Sequence, residues 1–163
     1  MVAEIARLSD HPGRVEEVRA LLREYILLPD GWEVLGPVPP ELPEFFATEF
    51  DQFPSPAAPP TGEVLLATVR SAVVGLGEVV PVDGDTCEFK RVHVVAEHEG
   101  VGIGKLLART LLHEARNLGY VSVVLDVLPS RRRALALWTS VGFAEVDPYR
   151  SYPIPVVFMG RSL

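Results

Sequence analysis

Glycines recur at positions 100, 102 and 104 in the run Glu99-Gly100-Val101-Gly102-Ile103-Gly104-Lys105, just after the apolar Val92-His93-Val94-Val95. Behind the glycines, Ile103, Leu106, Leu107, Thr110, Leu111 and Leu118 recur at helical spacing. A strand, a glycine-rich turn and a helix in that order make an anion site. Glycine lets backbone N–H groups come close to a phosphate, and the helix N-terminus adds partial positive charge. Two common phosphate loops do not fit. Lys105 is followed by Leu106, so there is no G-x-x-x-x-G-K-[ST], and the three glycines do not spell G-x-G-x-x-G. Taken alone, the triplet also reads as a tight strand-to-helix turn. Cys87 is the only cysteine, so neither an internal disulfide nor a cysteine-based zinc site can form, and no metal is expected.

The flanking elements must hold this turn in place. Val2 to Leu8 alternates well enough for a first strand, and Ser9 or Asp10 is placed to cap a helix with Pro12 in its first turn. Val15, Val18, Leu21, Leu22, Tyr25 and Ile26 line one face of that helix. From Pro29 to Pro60 the prolines, Pro39 and Pro40 among them, forbid a long regular element, although Glu41 to Gln52 still suits a short amphipathic helix carrying Phe45, Phe46 and Phe50. This segment reads either as a stiff connection with aromatics plugged into the core or as one wall of a substrate pocket. Glu63–Val69, Ala72–Val82 and Cys87–Val95 read as an antiparallel meander. The glycine turn then opens a helix to about Asn117, stopped by Gly119. A buried strand from Val121 to Leu128, a helix from Arg131 to Ser140, and last strands over Phe143 to Val146 and Val156 to Met159 complete the chain. The order predicts an α/β fold, read as a single domain over 1–163.

The run Cys87-Glu88-Phe89-Lys90-Arg91-Val92-His93-Val94, four spacer residues and the glycine turn together resemble motif A of the GCN5-related N-acetyltransferase (GNAT) superfamily. Ala134-Leu135-Ala136-Leu137-Trp138-Thr139-Ser140-Val141-Gly142-Phe143 is similar to the A-I-x-L-Y-x-x-x-G-F signature of the same superfamily, and Pro148-Tyr149 through Pro155 to Phe158-Met159 to the tail of a subgroup of small bacterial members. The resemblance implies the acyl-CoA N-acyltransferase (GNAT) fold: a mixed, mostly antiparallel central sheet with helices on both faces. It also implies acetyl-CoA as co-substrate and an amine as acceptor.

Carried over residue by residue, the resemblance gives the backbone of Gly100, Val101, Gly102, Ile103, Gly104 and Lys105 to the pyrophosphate, with Glu99 where the superfamily usually has Arg or Gln. Arg131, Arg132 and Arg133 open a helix that borders the cofactor cleft. They read either as a solvated charge run or, for Arg131, as a cofactor contact. The strand segment Val92-His93-Val94 supplies the backbone N–H that polarises the acetyl carbonyl, with Val94 as the choice. Glu88, eleven residues before Glu99, occupies the place of the general base in histone-type members. Its plain reading is a strand carboxylate paired with Lys90. Glu78, His93 and water are the other bases, and His93 reaches the Glu88 face only if a bulge intervenes. Trp138 stands where a tyrosine acid is usual, and an indole N–H is no acid. Tyr149 is the chosen replacement, with Tyr152 beside it, and both also read as core or pocket aromatics. A buried strand cysteine is the plain reading of Cys87.

The chain has 163 residues, 48% hydrophobic and 23% charged, as for an ordinary soluble domain. A net charge of −7 argues against general nucleic-acid binding, which needs a basic footprint. No stretch has the pattern of a secretion signal or reaches membrane-spanning length, so no membrane partner and a cytoplasmic location are expected. A homodimer stays open. The expected activity is acetyl transfer from acetyl-CoA directly to a primary amine of a small molecule. The alternatives are a GNAT-like acyl-CoA-binding module without catalysis, motivated by Glu99 and Trp138, and an acetyltransferase for a protein amine.

Overall fold

Among the described residues, 2–32, 36–37 and 43–163, seven strands form one sheet in the computed structural model. They are β1 (Ala3–Arg7), β2 (Glu63–Val69), β3 (Ala72–Pro81), β4 (Thr86–Val94), β5 (Ser122–Val127), β6 (Ala144–Glu145) and β7 (Val157–Ser162), in the spatial order β1-β2-β3-β4-β5-β7-β6. Every neighbouring pair is antiparallel except β4–β5, which is parallel. Helices α1 (Val15–Ile26) and α2 (Glu44–Gln52) cover one face, and α3 (Ile103–Asn117) and α4 (Arg132–Ser140) the other. The fold is mixed α/β with a mostly antiparallel sheet.

Strand alternation assigns side chains to the two layers. In β2, Val64 and Leu66 join Val18, Leu22 and Phe53 beneath α1 and α2, while Leu65 joins Leu107, Leu111 and Trp138 beneath α3 and α4. In α3 the buried stripe is Ile103, Leu107, Ala108, Leu111, Leu112 and Ala115. Leu106, expected on that stripe, is 41% exposed, and Thr110 turns its hydroxyl back to the Leu106 carbonyl. Fully buried leucines such as Leu107 and Leu111 each stabilise the layer by about 1.5–3 kcal/mol.

The last strand, expected to end at Met159, runs to Ser162, and the first two helices start later than the sequence reading placed them. Pro12–Arg14 forms a 3₁₀ turn, so α1 begins at Val15 without a side-chain cap. Ser9 instead directs its N–H and hydroxyl to the buried carboxylate of Glu63. The helix expected over Glu41 to Gln52 is seen from Glu44. Pro39, Pro40 and Glu41 lie outside the described residues, as does the side chain of Phe45. In the proline-rich segment, Trp32 is buried, donates its indole N–H to the Ile26 carbonyl at 2.9 Å, and meets Phe46 edge-on at 6.0 Å.

Two irregularities in β4 shape the centre of the sheet. Leu76 pairs with His93 but Glu78 pairs with Lys90, so two residues of β3 span three of β4. The extra residue makes a bulge at Arg91, whose φ of 54° is left-handed. On its other side, β4 pairs with β5 only from Thr86↔Ser122 to Glu88↔Val124, and beyond that the two parallel strands diverge.

Candidate active site

The divergence of β4 and β5 opens a cavity of about 440 Å³. Tyr25, Ile26, Trp32, Phe46 and Glu49 bound it from the α1 and α2 layer, and Ala134 and Trp138 from α4. Leu125, Asp126 and Val127 line it from β5, and Arg150, Tyr152, Pro153, Ile154 and Val156 from the segment between β6 and β7. The cavity therefore reaches through the sheet where its hydrogen bonding stops. Trp32 and Phe46 of the proline-rich segment wall this cavity, and Phe46, Phe50 and Phe53 also pack in the core.

Glu88 stands at the last paired position before the gap and is 2% exposed. Its partner is not Lys90. Arg150 Nη2 donates to Glu88 Oε2 at 2.7 Å, and the Tyr149 hydroxyl donates to Oε1 at 3.1 Å. Burial, then the Glu88 charge, push the Tyr149 phenol up from its ordinary value. Arg150 also donates to the Tyr152 hydroxyl at 3.2 Å, and Tyr152 donates to Asp126 Oδ2 at 2.8 Å. Burial, followed by the hydrogen bond to Asp126, pushes Tyr152 up to about 12. Glu88 and Tyr149 are thus brought together, with Arg150 between Glu88 and Tyr152.

The bulge changes which face His93 takes. Cross-strand partners share a face, so His93 opposite Leu76 lies on the same side as Lys90 opposite Glu78 and Glu88 opposite Val80. His93 turns to α1, with its ring 5.3 Å from that of Tyr25 and Nε2 3.5 Å from Glu24. Burial lowers its pKa. Val92 lines the cavity. Val95 N–H donates to the Val74 carbonyl on β3 at 2.9 Å, so alternation turns the Val94 N–H away from β3, toward the gap.

The glycine turn lies at the far end of β4. Gly100 and Gly102 have φ of 75° and 94°, and Gly102 is the N-cap of α3. A Cβ added at either would meet nothing within 4 Å. Val101 and Lys105 are exposed, and Ile103 is buried. Gly104 has ordinary helical backbone, and a Cβ there would lie 3.6 Å from Leu137 of α4. Glu99 pairs with Arg133 at 3.2 Å, so its carboxylate is offset by the arginine run of α4. Arg131 is the N-cap of α4 and lines the cavity. Its Nε and Nη2 donate to Asp30 at 2.6 and 2.9 Å, and Nη1 to the Tyr25 hydroxyl at 2.8 Å.

Trp138 is 4% exposed and packs at 6.0 Å from Phe89 and 5.1 Å from Phe143, a core role. Cys87 is fully buried in the same layer, and burial pushes its thiol up to about 12. Glu78 is 4% exposed with no hydrogen bond among the described residues, and burial pushes it up to about 7 despite nearby Arg91 and Lys90. Arg91 grips Glu49 by two bonds of 2.9 and 2.7 Å and sits over Phe46. Sequence reasoning did not single out Arg150, Glu49, Asp30 or Asp126. Arg150 had a signal, its place next to Tyr149. The others depend on contacts remote in sequence.

A splayed parallel pair beside a glycine turn at a helix N-terminus defines the acyl-CoA N-acyltransferase class of fold. The Acetyltransferase (GNAT) family model matches residues 25–143, and the chain belongs to that family. It is 38% identical over 104 residues to an uncharacterized N-acetyltransferase of Schizosaccharomyces pombe, covering 62% of this chain and 64% of that protein. It is 40% identical over 83 residues to human N-acetyltransferase 8, covering 48% of this chain and 37% of that protein. Both matches span less than two thirds of the relative's length. Among solved structures, a GNAT-family acetyltransferase of Staphylococcus aureus superposes with a TM-score of 0.78 at 14% identity over 99% of both chains. A spermidine N-acetyltransferase of Vibrio cholerae, in complex with CoA and spermine, gives 0.68 at 17% identity over 98% of this chain and 95% of that one. A family member from Elizabethkingia anophelis with acetyl-CoA bound gives 0.57 at 24% identity, over 63% of this chain and 77% of that one.

Proposed function

We propose that this protein transfers an acetyl group from acetyl-CoA directly to a primary amine of a small molecule. The observation that carries this is the β4–β5 gap, with the glycine turn at its α3 end and the buried Glu88 carboxylate at the other. The turn fits a pyrophosphate, because at Gly100 and Gly102 the backbone is open to approach. Acetyl-CoA supplies the activated acyl group. Backbone N–H groups from Gly100 to Lys105 would hold its phosphates, with Arg133 offsetting Glu99 and Arg131 bordering the cleft. The Val94 N–H would polarise the carbonyl.

Deprotonation is the larger task. An amine with pKa near 10.4 costs about 4.6 kcal/mol to deprotonate at pH 7, whereas protonating a thiolate of pKa near 8.5 gains about 2 kcal/mol. We assign Glu88, held by Arg150 and Tyr149, to take the proton released by the amine. A phenol pushed up and bonded to Glu88 is a poorer acid than a free one, so Tyr149 serves here by orienting Glu88. A second reading rests on Glu78. It is buried, without a hydrogen bond among the described residues and raised to about 7, which suits a base working near neutrality.

A panel of primary amines, with free-thiol release as readout, tests the assignment. Release that requires both acetyl-CoA and an amine is expected. Tight acetyl-CoA binding without release on any amine would leave a binding module, and release only with peptides would point to a protein amine.

A further inference from the structure

Charges around the cavity are nearly all matched. Arg91 is held by Glu49, Arg131 by Asp30 and Arg150 by Glu88. Two lining charges, Lys90 and Asp126, make no ion pair among the described residues. Their places are related. Glu88 and Val124 are the last parallel partners, and Lys90 and Asp126 follow two residues later on each strand. Side chains two apart share a face, so the pair flanks the opening gap from opposite strands on the face of α1 and α2. Asp126 keeps one oxygen on the Tyr152 hydroxyl, and Lys90 also faces Glu78 and the committed Glu49. Ile26, Trp32, Phe46, Ile154 and Val156 add apolar surface to the same cavity.

Resting on the transferase reading above, we propose that the acceptor is a zwitterion, a primary amine with a carboxylate a few bonds away and an apolar side chain, its ammonium toward Asp126 and its carboxylate toward Lys90. With the arginines matched, Lys90 and Asp126 are the lining cation and anion left without an ion pair among the described residues, which suits a net-neutral ligand. A polyamine would bring several positive charges to a cavity whose described lining holds one unpaired carboxylate and a lysine that repels them. The acceptor then differs from the spermine held by the Vibrio cholerae structure, despite the shared fold. Carboxylate and lysine desolvated together discriminate strongly, because an amine lacking the carboxylate leaves the lysine unmatched.

Three probes decide it: L-leucine, its decarboxylated counterpart isoamylamine, and spermidine, each assayed by thiol release from acetyl-CoA. L-leucine should exceed the other two in kcat/KM by roughly tenfold or more. Lys90→Met should lower kcat/KM for L-leucine by about the same factor, mostly through KM, and raise it for isoamylamine by removing the repulsion. A preference for isoamylamine or spermidine, or a ratio that Lys90→Met does not change, overturns the proposal. Calorimetry of the same probes on the protein with coenzyme A separates the two layers of inference. L-leucine binding that Lys90→Met abolishes, without turnover, would sink the transferase reading and keep the zwitterion site. No L-leucine binding at all would sink the zwitterion site.

Discussion

Glu88 and Glu78 are the two buried glutamates proposed as the base, and their surroundings separate them. Among the described residues Glu88 has two donors, Arg150 and Tyr149, whereas Glu78 has none. If Glu88 is the base, Glu88→Gln should cut the rate near neutrality within the ~10²–10⁴ range of acid–base catalysis, with a loss that shrinks at high pH where the amine deprotonates unaided. If Glu78 is the base, the acidic limb near pH 7 should disappear in Glu78→Gln while Glu88→Gln keeps it. Glu78 also carries a stability signature. Its folded pKa of about 7 lies above its ordinary 4.5, so the native state holds the proton more tightly. Stability from this group is therefore full below about pH 4.5 and lost as pH rises to 7, reaching roughly 3 kcal/mol as an upper bound. Urea unfolding at pH 5 and pH 8 should show Glu78→Gln gaining on the wild type at the higher pH, and equal gaps at both would remove the buried-carboxyl account.

At the scale of elements, the glycine turn and the bulge depend on different glycine-like conformations. Gly102 needs its positive φ, so Gly102→Ala should cost about 1 kcal/mol of stability through backbone strain. Gly104 does not, and an alanine there meets only an ordinary contact with Leu137, so Gly104→Ala should stabilise α3 by about 0.5–1 kcal/mol. Gly104→Val adds bulk on the same backbone and should weaken acetyl-CoA binding in a folded protein, so unchanged calorimetric affinity would remove the phosphate role. The turn and the strands were legible because they are local. Glu63–Val69 is a strand with the bounds read from its apolar pattern, and α3 ends at Asn117 as Gly119 indicates. The bulge was not legible, because nothing in the sequence marks Arg91 for a left-handed backbone, and only the register of β3 against β4 reveals it. The same holds for Glu88 and Arg150, 62 positions apart, where the sequence offered Lys90 as the nearer cation.

Across the whole molecule, the sheet separates two tasks. The glycine turn lies at the N-terminus of α3, packed beside α4, while Glu88, Lys90 and Asp126 face the layer of α1 and α2. The gap between β4 and β5 joins the two sides, so donor and acceptor are expected to meet there together and the acyl group to pass in one step. Cys87 sits near this path but belongs to the core of α3 and α4, with Sγ 3.8 Å from the Ser122 carbonyl. Its thiol, pushed up to about 12 by burial, leaves about one part in 10⁵ as thiolate at pH 7, too little for a covalent acyl carrier. Initial-velocity plots against both substrates should therefore intersect, as for a ternary complex. Cys87→Ala should fold with a loss of about 1 kcal/mol from the small cavity and keep kcat within roughly threefold of the wild type. Parallel plots together with an inactive but folded Cys87→Ala protein would place the acyl group on the thiol and overturn direct transfer.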